Sequence, residues 1–96
     1  MGEPIPLSKP LKSHKGEITE LTFRELTARD IVEVGASPIK VTRVGDEVIQ
    51  EYRYPSVMRL ASLLTGHDEL VLGGMKASDF HRVTAAVVDA WMQAGE

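Results

Sequence analysis

The chain has 96 residues, enough for one domain that buries roughly 60–70% of the surface its unfolded form exposes, with little left over for a deep cleft. Its 14 acidic and 11 basic side chains leave a formal charge of −3, which disfavours nucleic-acid binding because that affinity comes mainly from neutralising phosphates. There is no cysteine, so disulfides and thiolate metal sites are excluded, and no apolar run approaches the ~20 residues of a membrane span.

A hydrophobic fraction of 43% with 26% charged residues is ordinary for a globular protein and argues against wholesale disorder. Lys9, Lys12 and Lys15 are the one candidate basic cluster and read as a solvated face. The opening Met1-Gly2-Glu3-Pro4 has neither the basic start nor the apolar stretch of a signal peptide, and Pro6 stands where a myristoylation signal prefers Ser or Thr. The expected location is the cytoplasm.

Residues 4–26 read as a β-hairpin. Ile5, Leu7 and Leu11 alternate with polar residues, and Pro10, lacking a ladder donor, puts the first strand at a sheet edge. His14-Lys15-Gly16 supplies the turn. The odd spacing of Ile18 and Leu21 breaks alternation in the second strand and suggests a bulge there. A short helix over 28–34 follows, with Thr27 as N-cap, Asp30 in the first turn and Gly35 as the stop. Residues 39–53 alternate around Gly45-Asp46 and read as a second hairpin with a II′ turn; a mobile loop is the alternative.

Two amphipathic helices complete the pattern. In 55–65, Pro55 suits the first turn and Val57, Leu60, Ala61 and Leu64 share a face; in 78–94, Phe80, Val83, Val87, Ala90 and Trp91 do the same. Between them, 67–75 reads as a connection carrying the run Leu70-Val71-Leu72. The expected architecture is a single α+β domain over 1–96.

A search for chemistry finds little. His14, His67 and His81 are isolated, and no serine lies in a nucleophile-elbow setting. His67-Asp68-Glu69 are adjacent and Asp79 and His81 two apart, spacings that do not converge on one ion. Gly73-Gly74-Met75-Lys76 lacks the spacing and hydroxyl of a phosphate loop. Asp30 and Glu33 share a helix face and read as solvated charges. No catalytic, cofactor or metal site is expected.

What stands out is apolar. Leu70, Leu72, Met75, Val88 and Met92 exceed the two helical stripes and, with Trp91 of the second stripe, make the candidate partner-binding set. They either fill the core or line a groove that accepts an amphipathic helix from a partner, a task to which flexible methionines are suited.

The succession of motifs resembles a known family. Leu7-Ser8-Lys9-Pro10-Leu11, then Gly16 through Thr27 (GEITELTFRELT) and Ala28-Arg29-Asp30-Ile31, is similar to the start of the tail assembly chaperones of Mu-like and related contractile-tailed bacteriophages. Leu60 through Gly66 looks like their middle helix, and Met75 through Phe80 with Val83 and Ala85-Ala86-Val87 like their closing helix. The stretch 36–54 is longer and more strand-like than the family's pattern. The resemblance implies a non-enzymatic role in the cytoplasm of a bacterial host: holding the tape measure protein until tail tube subunits replace the chaperone, with no place in the mature virion. It implies the tape measure protein and the tail tube protein as partners, no nucleic acid or membrane, and leaves homo-oligomerisation open. A minor structural component of the tail or baseplate is the alternative, and a small DNA-binding regulator a further one.

Overall fold

The computed structural model describes residues 3–94. In chain order the elements are β1 (Ile5–Ser13), β2 (Gly16–Leu21), α1 (Ala28–Val34), β3 (Ile39–Val44), β4 (Glu47–Tyr52), α2 (Tyr54–Thr65), α3 (Glu69–Leu72) and α4 (Ala77–Ala94). The strands form two separate antiparallel hairpins, β1–β2 and β3–β4, so the fold is α+β as the sequence pattern predicts.

The first hairpin turns at His14-Lys15. Leu11 faces Ile18, but farther from the turn Pro6 faces Glu20, so Leu7 to Pro10 stand opposite Thr19 alone. The irregularity therefore falls in β1 and not, as the spacing of Ile18 and Leu21 suggests, in β2. Pro10 has no N–H to give the ladder, and the Ser8 N–H leaves it for a side chain on α4. The strand pattern also ends earlier than residue 26. After Leu21 the chain leaves the sheet, Phe23 enters the core, and the Arg24 N–H donates to the Leu64 carbonyl of α2 at 3.0 Å.

Residues 39–53 do form a hairpin. Gly45 has φ 61°, and no non-glycine residue among those described has positive φ, so Asp46 completes a loop of the II′ sense that matches strand twist. Lys40 faces Glu51 across the ladder. Every residue of β4 is exposed, and neither strand supplies a core side chain. This hairpin is an arm held at its base: the Arg53 N–H donates to the Pro38 carbonyl at 2.8 Å, and Tyr52, Tyr54 and Phe80 follow one another at ring separations of 6.1 and 5.8 Å. A radius of gyration of 14.0 Å, against roughly 12.5 Å for a compact chain of this length, fits a body with a projection.

The core lies between the first hairpin and the helices. Leu11, Ile18, Leu21 and Phe23 meet Val57, Leu60, Ala61 and Leu64 of α2, and Val83 and Val87 of α4 close the other side. The i, i+3, i+4 spacing that predicts both helices is the spacing of these buried residues. Gly66 ends α2 in the left-handed region at φ 79°. The predicted connection contains one further helical turn, α3, whose start is capped by the Asp68 carboxylate accepting from the Leu70 N–H at 2.8 Å.

Candidate partner-binding surfaces

The six apolar residues singled out from the sequence are dispersed by the fold. Leu70 is 89% exposed while Leu72 is 0% exposed and belongs to the core. Both lie on α3, where successive residues turn by about 100°, so positions two apart point to nearly opposite sides. Leu72 is thus corrected from a surface candidate to a packing residue. Met75 and Trp91 are half-buried against the core, Val88 is half-buried, and Met92 is 57% exposed. Leu70 lines a shallow groove of about 510 Å³ with Pro10, Leu11 and Val71, under the exposed Lys9 and Lys12. None of the other five lines it.

A larger groove, of about 780 Å³, lies on the other flank of α4 from Val88 and Met92. Its apolar lining is Ile5 at the start of β1, Phe23 and Leu26 from the segment after β2, and Ala86, Ala90 and Ala94, which recur once per turn along α4. Glu3, Glu25 and Asp89 stand around it. Arg24 is also at its edge, but both guanidinium arms are engaged by Asp30 at 2.7 Å. Among the described residues, none of the three rim acids forms a salt bridge. Sequence reading missed this groove because its walls come from three distant segments and its alanines read simply as helix formers.

Two buried carboxylates hold the walls in position. Asp30 makes the capping contact with Thr27 that its position predicts, but it is buried and not the solvated charge expected from sequence. It accepts two hydrogen bonds from Arg24, one from the Thr27 N–H at 2.8 Å and one from the Thr27 hydroxyl at 3.0 Å. The Arg24 guanidinium, helped by Thr27, overcomes the opposing effect of burial and holds the Asp30 carboxyl well below the usual carboxylate range. Glu33 does remain exposed.

Asp79, in the first turn of α4, is fully buried. Its two oxygens each accept from the Ser8 N–H at 3.1 Å; one also accepts from the Ser8 hydroxyl at 3.0 Å, and the other pairs with Arg82. Burial pushes this carboxyl up, but the Ser8 N–H, Arg82 and the Ser8 hydroxyl together outweigh it, and it too lies below the usual range. Asp79 thereby fastens the irregular part of β1 to α4, and Asp30 fastens the segment after β2 to α1. These are the joints of a scaffold.

Among the described residues no three His, Cys, Asp or Glu side chains come together as a metal site, and no helix is long and apolar enough to cross a membrane.

A small α+β body with carboxylate-braced walls, exposed apolar side chains and an open groove along its longest helix has the build of a protein-binding module. The family model described as phage tail assembly chaperone proteins, E, or 41 or 14, matches residues 4–90, and the chain belongs to that family. No curated protein and no solved structure matches it.

Proposed function

We propose that the chain is a non-enzymatic chaperone that binds the tape measure protein of a phage or prophage tail and keeps it soluble until tail tube subunits assemble on it. The observation that carries the reading is the family match, which runs through both hairpins and all but the last turn of α4. The physical requirement is an accessible apolar surface able to mask helix faces prone to aggregate, and Leu70 and Met92 are exposed apolar side chains of that kind. Met75, Val88 and Trp91, each partly exposed, remain candidates for the same contact. The protein acts in the cytoplasm of the bacterial host and is absent from the finished virion.

Co-expression with the tape measure protein is the test. The tape measure protein turns from insoluble to soluble and co-purifies with the chain. If it aggregates regardless and nothing binds, the chaperone reading fails. Recovery of the chain from purified particles makes it a structural tail component instead.

A further inference from the structure

We infer that the groove along α4 is the seat for an amphipathic helix whose apolar stripe is flanked by lysine or arginine. This rests on the chaperone reading and specifies the chemistry of the partner segment.

Three features of the groove select this occupant. The first is length: Ala86, Ala90 and Ala94 recur once per turn, so the floor runs for about two helical turns, roughly 12 Å. The second is the floor. Ala86 and Ala90 are half-buried and offer only methyl groups, so a helix axis can come close, while Ile5 and Leu26, also half-buried, present larger apolar surface on the opposite wall. The alanine floor is the side-chain surface of a helix, whereas a strand binds through hydrogen bonds to a free sheet edge.

The third feature is charge. Glu3, Glu25 and Asp89 are all exposed, and Arg24, the one cation of the rim among the described residues, is already paired with Asp30. The rim is therefore acidic over an apolar floor. It attracts a helix with basic flanks, repels one with acidic flanks, and does so more weakly as salt rises. The groove under Leu70 has the reverse arrangement, with Lys9 and Lys12 beside it, so the two concavities do not take the same segment.

The experiment uses the full chain and two labelled model peptides of roughly 18 residues, about five turns. Both carry the same leucine stripe at helical spacing, one with lysine on the remaining face and the other with glutamate. Fluorescence anisotropy is expected to give at least about tenfold tighter binding of the lysine peptide at low salt, with the difference shrinking as salt is added. A90W, which places an indole on the alanine floor and blocks close approach of a helix, abolishes binding. The double variant E25K/D89K, at exposed positions and checked for an unchanged melting curve, reverses the preference. Equal affinity for the two peptides, binding of neither, or an A90W or E25K/D89K variant that binds like the parent overturns the assignment.

The same double variant separates this inference from the reading beneath it. If both the parent and E25K/D89K keep the tape measure protein soluble, the groove assignment fails and the chaperone reading stands. If the parent itself does not, the chaperone reading fails, whatever the peptides do.

Discussion

Leu70 and Leu72 differ by two positions and by nearly the whole range of exposure, which makes them a sharp test of how α3 is placed. Replacing Leu72 by Ala removes three carbons from a fully buried side chain. At about 0.8 kcal/mol for each, the transfer loss is about 2.4 kcal/mol, to which any unfilled cavity adds. α3 is only four residues long and lies at the surface, so it can settle partly into the space. The expected cost is therefore near the lower end of measured Leu→Ala losses, about 3 kcal/mol. A domain of this length has a total stability of about 5–14 kcal/mol, so the fold survives but the change is large. With a urea dependence of about 1–1.5 kcal/mol per molar, the midpoint falls by about 2–3 M. Trp91, the only tryptophan and half-buried against the core, reports unfolding by fluorescence. L70A, at an exposed position, shifts stability by no more than about 0.5 kcal/mol. Equal shifts for the two variants, or a larger one for L70A, refute the placement of this turn against the core.

The two buried carboxylates set the acid response. Their folded-state pKa values are depressed, so in acid the unfolded chain binds more protons; their contribution is fully present above about pH 4 and is lost as pH falls toward the folded values. D79N flattens this part of a plot of urea midpoint against pH, and an unchanged slope refutes the assignment. Gly66→Ala forces a side chain into the left-handed region where nothing else crowds it, so the backbone alone decides the loss, about 1 kcal/mol or 4–8 °C in Tm. Replacing residues 40–51 by a short Gly/Ser link removes no core side chain and leaves the Trp91 unfolding transition within about 1 kcal/mol of the parent; a chain that no longer folds shows that the arm braces the body.

Those elements whose residues repeat over several turns were legible in the sequence. Val57, Leu60, Ala61 and Leu64 announce α2, Val83 and Val87 announce α4, and alternation around a glycine announces each hairpin. A single helical turn has no period to detect, so Glu69–Leu72 read as a connection and Leu72 could not be told from Leu70. The capping contact between Thr27 and Asp30 was legible, but the burial of Asp30 and Asp79 was not, for a different reason. A carboxylate is expected in water unless its partners are known, and for Asp79 one partner, Ser8, lies at the opposite end of the sequence. The groove combines both difficulties, being assembled from residues near positions 5, 25 and 90 with no local signature.

The Ser8–Asp79 contact joins residues 71 apart. On the ribosome, at about 5–20 residues per second, Ser8 is made on the order of 4–14 s before its acceptor exists. Until α4 is made the β1–β2 ribbon, marginal in water by itself, has only α2 and α3 to pack against. The body therefore closes late, when α4 is translated and brings Asp79 to β1. A mutation that slows or truncates translation before α4 leaves a nascent chain with an open sheet and an uncovered core. Such a chain exposes apolar side chains of the kind that the cell's folding machinery holds.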